Sequence, residues 1–182
     1  MRFHILLLGA LALTACQPTP ASPSMPTAPP SRTASPTPTT PPEPSFSGEH
    51  HEIYQTVRNF RHAFDEWSQN PTPKFDDVIQ YTTDNAQMMI AKLMERRIRK
   101  NLKAKGAPTY RSWSINPPET LPDGTRQAAA IFCQDTKSMS LVLEDGTLSP
   151  RGELYWETYT VQQQRDNTWR VSKITNEETE SC

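Results

Sequence analysis

Leu154-Tyr155-Trp156-Glu157-Thr158-Tyr159-Thr160-Val161-Gln162-Gln163 is the stretch that decides the fold class of this chain. It is rich in aromatic and β-branched residues, and Tyr155, Glu157, Tyr159 and Val161 alternate with Leu154, Trp156 and Thr158. Successive side chains of a strand point to opposite faces, so both faces of this strand are partly apolar. One face is expected to meet helices; the other reads as ordinary core packing or, alternatively, as the lining of a cavity or an interface. Outward from it, residues 111–115, 126–134, 139–143 and 168–174 have similar compositions and read as further strands. Asp123-Gly124, Asp145-Gly146 and Asp166-Asn167 mark the turns.

Upstream the period changes from two to about 3.6. Ile53, Val57, Phe60, Phe64 and Trp67 form one helical stripe, with Ser47 placed as N-cap and Asn70-Pro71 marking the end. A short helical piece follows around Phe75, Val78 and Ile79. In a second long helix, Asp84 and Gln87 have capping-box spacing, and Ile90, Met94, Ile98 and Leu102 form the buried side. Gly106 is expected as its C-terminal cap, with Lys103 and Lys105 at the negative end of the dipole. Helices first and antiparallel strands afterwards imply an α+β domain, its N-terminal helices packed on a curved antiparallel sheet.

Cys133-Gln134-Asp135, the hairpin Glu144-Asp145-Gly146, Tyr159-Thr160-Val161, Trp169-Arg170-Val171 and the terminal Cys182 carry a resemblance. The chain resembles the NTF2-like (cystatin-like) cone, and more narrowly a group of actinobacterial lipoproteins of unknown function. The resemblance implies helices closing over a strongly bent sheet. It transfers a fold and no activity.

The N-terminus has its own logic. Arg2, a short apolar run from Ile5 to Leu13, and the small residues Thr14 and Ala15 describe a secretory signal peptide at 1–15. The run is shorter than the roughly 20 residues that a spanning helix needs. Leu13-Thr14-Ala15-Cys16 resembles the bacterial lipobox in all four positions. Cys16 is therefore expected to carry lipid, palmitate among its acyl chains, and to hold the chain on the extracytoplasmic face of the cell membrane. Two chains anchor stably where one does so marginally. Residues 16–47 form a Pro/Ser/Thr-rich linker that holds eleven of the 18 prolines. It lacks the apolar residues to fold, and would reach up to roughly 90 Å if extended as polyproline II. The folded domain is expected over 48–182.

With Cys16 lipidated, Cys133 and Cys182 remain, in a compartment where disulfides persist. A bridge between them would tie the polar tail to the sheet. The rival readings are a buried free thiol and a nucleophilic Cys133.

Several chemistries are excluded. The chain has no HExxH, GxSxG, Walker A or GxGxxG motif. His51 and His62 lie about 16 Å apart along one helix, too far to share a metal. Near-zero net charge gives no sign of nucleic-acid binding. Neither a metal nor a cofactor is expected. The candidate pocket residues are Trp113, Asp135, Tyr155 and Tyr159; Asp135, at a strand end beside a turn, reads first as a backbone cap and alternatively as the general acid or base of an NTF2-like pocket enzyme. Lys92, Arg96, Arg99 and Lys103 form a candidate basic surface, read first as a solvated helix face, helped by Glu95–Arg99 pairing, and alternatively as one that meets anionic lipid or wall polymer. The leading expectation is a non-catalytic envelope module that binds a small-molecule ligand or an envelope protein.

Overall fold

The computed structural model describes residues 44–182; the expected signal peptide, Cys16 and most of the expected linker lie outside the described residues. Helix α1 runs Gly48–Gln69, α2 Asp76–Ile79 and α3 Asp84–Arg99. The strands are β1 Lys103–Lys105, β2 Thr109–Ile115, β3 Glu119–Thr120, β4 Arg126–Asp135, β5 Ser140–Val142, β6 Leu148–Pro150, β7 Leu154–Gln163 and β8 Trp169–Thr179. The main sheet has the antiparallel order β2-β4-β7-β8, with β3 paired to the start of β4. A small sheet, β1-β5-β6, stands apart from it. The architecture is α+β, with helices packed on a curved antiparallel sheet.

The core lies between the helices and one face of the main sheet. Ile53, Val57, Phe60 and Phe64 of α1, with Ile90 and Met94 of α3, meet Ala128, Ala130 and Phe132 of β4, Tyr159 and Val161 of β7 and Val171 of β8. Each fully buried large side chain contributes about 1.5–3 kcal/mol, so this two-layer contact is the main source of stability. Ser47 occupies the N-cap position of α1 without a capping side-chain bond, and Asn70 closes the helix. Each expected turn carries an aspartate cap: Asp123, Asp145 and Asp166 accept from the backbone N–H of Thr125, Thr147 and Thr168.

The end of α3 departs from expectation. The helix stops at Arg99, where Leu102 N–H reaches Arg97 C=O and Asn101 N–H reaches Ile98 C=O. That is a Schellman closure with Asn101 (φ 46°) in the left-handed position that glycine usually fills. Lys103 and Lys105 consequently belong to β1, not to the helix. Gly106 (φ 79°) serves the next connection, where a Cβ would lie 2.3 Å from the Ser138 carbonyl oxygen. The capping box is also absent: Thr83 is the N-cap, and no side chain caps the helix. Strand β8 runs past Ile174 to Thr179 because β7 pairs with it along its whole length, Leu154 opposite Thr179.

A bulge in β2 positions the site. Arg111 pairs with Cys133 and Ser114 with Ile131, leaving an extra residue on β2. Ser112 takes φ 56° to absorb it. In an unbroken strand Tyr110 and Trp113 would face opposite ways; the bulge turns both toward the helices, where Trp113 stacks on Phe132 at 4.2 Å.

On the far face of the sheet, Cys133 is buried opposite Trp156. Cys182 meets it as a disulfide partner, with Cα atoms 5.9 Å apart. Because β7 separates β8 from β4, this link carries the chain end across β7.

Candidate functional site

Arg61 lies in the middle of α1, between Phe60 and Phe64, and is almost fully buried. A buried guanidinium is tolerable only if its donors are satisfied. Its Nε and Nη2 donate to the Tyr110 hydroxyl at 2.9 and 2.7 Å, and its Nη1 donates to the Tyr159 hydroxyl at 3.0 Å. Nη2 also reaches Asp65 Oδ1, one turn along the helix, at 3.2 Å. The Gln134 amide, oriented by its neighbours, accepts from Arg61 Nη2 and donates to Glu157 Oε1, both at 2.6 Å. The Tyr110 hydroxyl donates to Asp65 Oδ2.

The electrostatics follow from burial. Desolvation opposes the charge on Arg61, but the oxygens of Tyr110, Tyr159, Asp65 and Glu157 outweigh it and keep the guanidinium protonated. Burial raises the Asp65 carboxyl above its ordinary range, with Arg61 and the Tyr110 bond pulling the other way. Burial also pushes the hydroxyls of Tyr110 and Tyr159 up, so both stay neutral. Arg97, over the Phe64 ring at 5.3 Å, is lowered to about 10 by burial and then by Arg151 and Arg61.

Above this network lies an open groove of about 590 Å³ between α1 and β2. His62, Asp65 and Gln69 form one wall, and Pro108, Tyr110 and Trp113 the other. A second depression, of about 610 Å³, lies between the first half of α1 and the β7–β8 turn. We assign the candidate site to the first, since it alone of the two is walled by Trp113 and floored by the buried ionisable network. An indole wall beside a few convergent polar groups is the usual make-up of a ligand site.

The residues expected from sequence divide. Tyr159 lies fully buried under the groove on Arg61, and Trp113 lines it. Tyr155 shares the inward face of β7 but sits at the strand's other end, where burial and then the Glu153 carboxylate raise its hydroxyl pKa. The structure does not bring Asp135 to the groove. Its Oδ2 accepts from Arg111 Nη2 at 2.8 Å and its Oδ1 from the Lys137 backbone N–H at 3.0 Å, so it caps the turn after β4. A carboxylate held this way is an anchor for the chain and is badly placed as a general base. Lys92, Arg96 and Arg99 are exposed on α3, and Lys103 is exposed on β1.

Sequence reading missed Arg61, Asp65, Tyr110, Gln134 and Glu157. One signal was available: Arg61 and Asp65 are an i,i+4 opposite-charge pair directly beside the apolar stripe.

No protein-family model matches this chain, and no curated protein matches its sequence. Solved structures do. The intermembrane space region of chloroplast protein ARC6 superposes with TM-score 0.55 at 11% identity, over 75% of this chain and 100% of that one. A ketosteroid isomerase-like protein from Erwinia carotovora atroseptica gives 0.50 at 13% identity, again over 75% and 100%. The chain has the NTF2-like fold. At these identities the likeness concerns the NTF2-like architecture alone; what the groove does must be argued from its own residues.

Proposed function

We propose that the mature chain is an extracytoplasmic lipoprotein, of the kind found in actinobacteria, held on the cell membrane through Cys16. Its NTF2-like domain binds a small molecule or a segment of an envelope protein in the α1–β2 groove without transforming it. The observation that carries the binding reading is the pairing of an open aromatic wall, Trp113 and Tyr110, with a floor tied together through Arg61. The Tyr110 hydroxyl accepts twice from Arg61 and donates once to Asp65, so no proton or lone pair is left for chemistry. Such a floor holds shape. Asp65, with its side chain 14% exposed, keeps acceptor capacity toward the groove, so the favoured ligand has an apolar ring for Trp113 and an N–H or O–H donor for Asp65.

A second reading rests on one observation: Asp65 is a groove carboxyl whose pKa is raised by burial, a property shared by many general acids and bases. It would take the role that sequence reading gave to Asp135.

The experiment is recovery of the bound molecule. Protein is extracted from its host's membranes, denatured in organic solvent, and the extract compared with that from a Trp113→Ala variant. A compound present in stoichiometric amount and absent from the variant is expected. Recovery of a chemically altered product, formed from added compound by wild type and lost in Asp65→Asn, would favour the enzyme.

A further inference from the structure

The inner side of α3 is accounted for by Ala86, Ile90 and Met94, which pack into the core. The opposite side is not. It presents Met88 and Met89, 53% and 44% exposed, followed by exposed Lys92, Arg96 and Arg99, with exposed Lys100 at the C-cap. Among the described residues, none of these four cations has an ion-pair partner. Lys92, Arg96 and Lys100 follow at intervals of four, an arrangement in which like charges destabilise a helix. The helix dipole compensates cations only in the last turn, which holds Arg96 and Arg99 but leaves Lys92 uncompensated. Glu95 is the one acidic residue on this side.

We infer that the outer face of α3 rests on an anionic lipid bilayer, its cations against lipid phosphates and Met88 and Met89 in the headgroup–acyl boundary. A helix with a cationic face and exposed apolar side chains beside it has the make-up of an interfacial helix. The methionines decide between a bilayer and a soluble polyanion, since a polyanion offers them nothing. The inference rests on the anchored reading only in that the anchor brings a bilayer within reach. On that reading the domain is tethered to the membrane, and tethering makes even a weak contact effective.

The test uses the chain from residue 17 onward, which lacks the lipid but contains every described residue and the whole core. It is sedimented with vesicles of phosphatidylcholine alone or with about one-third phosphatidylglycerol. Retention is expected on the anionic vesicles only, and is expected to vanish near 0.5 M salt, where screening is nearly complete over about 5 Å. Arg96→Glu with Arg99→Glu should weaken it at least about tenfold, and Met88→Ser with Met89→Ser several-fold, with circular dichroism confirming that both variants fold. Retention that ignores lipid charge or salt in the wild type would overturn the proposal without any variant. So would displacement by soluble polyglutamate combined with indifference to the methionine changes. Failure of the anchor reading would show separately, as an unacylated Cys16 in protein from the host.

Discussion

Arg61 Nη1 donates to the Tyr159 hydroxyl over 3.0 Å, joining α1 to β7 across 98 residues of sequence. The same guanidinium reaches Tyr110 on β2 and Asp65 on its own helix. One buried cation thus fixes the spacing of the helix and two strands, and with it the width of the groove. Removing it strands two phenols and two carboxylates in the interior. Arg61→Ala should destabilise the domain by about 3–5 kcal/mol, as breaking a buried pair does, and Tyr159→Phe by about 1–3 kcal/mol for the orphaned donor. Urea unfolding followed by tryptophan fluorescence measures both. A loss under about 1 kcal/mol for Arg61→Ala would show that the network holds nothing.

The bulge makes a separate prediction. Ser112 has φ 56°, a conformation that glycine adopts freely and β-branched residues resist. Ser112→Gly should leave stability within about 1 kcal/mol, whereas Ser112→Val should cost about 1–3 kcal/mol. The valine variant should also lose ligand, because straightening β2 turns either Tyr110 or Trp113 out of the groove. Equal melting temperatures for the two variants would remove the bulge from the account.

Asp65 sets a pH dependence. Its folded pKa is raised, chiefly by burial, so the folded state holds this proton more tightly than the unfolded chain does. Its contribution is greatest below the ordinary aspartate value of 3.8 and is lost as pH rises through the higher folded value. Wild type should therefore lose stability relative to Asp65→Asn as pH climbs from 3.8 upward. Paired denaturation curves across that range give the slope; a difference of the opposite sign would mean that Arg61 outweighs burial.

The pairing of Cys133 with Cys182 closes a sequence separation of 49 residues. In the chain-entropy picture such a closure contributes about 4 kcal/mol. Denatured, unreduced mature protein should show no thiol reactive toward Ellman's reagent, and Cys182→Ser should be destabilised by about 2–4 kcal/mol. Two titrating thiols would contradict the bridge.

How far the sequence could be read follows from the range of the physics involved. Strand β7 and the α1 stripe are legible because a period of two or 3.6 repeats over many residues. The ends are not. Asn101 rather than Gly106 closes α3, a choice that both residues permit and that the need to start β1 decides. The bulge at Ser112 leaves no compositional mark, since it exists only in the register of β2 against β4. Trp113 and Tyr159 stand out as large aromatics in strands, which is why both were expected near a pocket. Arg61 looks like an ordinary charge bordering an apolar stripe until the pairing of β2, β4 and β7 brings Tyr110, Gln134 and Tyr159 to it. Asp135, the more conspicuous acid, is consumed by a turn.

The central claim is that a membrane-anchored domain holds a ligand against Trp113 and Tyr110. Native mass spectrometry of the full-length chain, gently extracted from its host's membranes, tests it most directly. The account predicts a mass for a chain that begins at Cys16 and carries acyl groups, plus a noncovalent adduct in one-to-one amount that disappears in Trp113→Ala. A bare polypeptide with neither acyl mass nor adduct, or an adduct indifferent to Trp113, would contradict it.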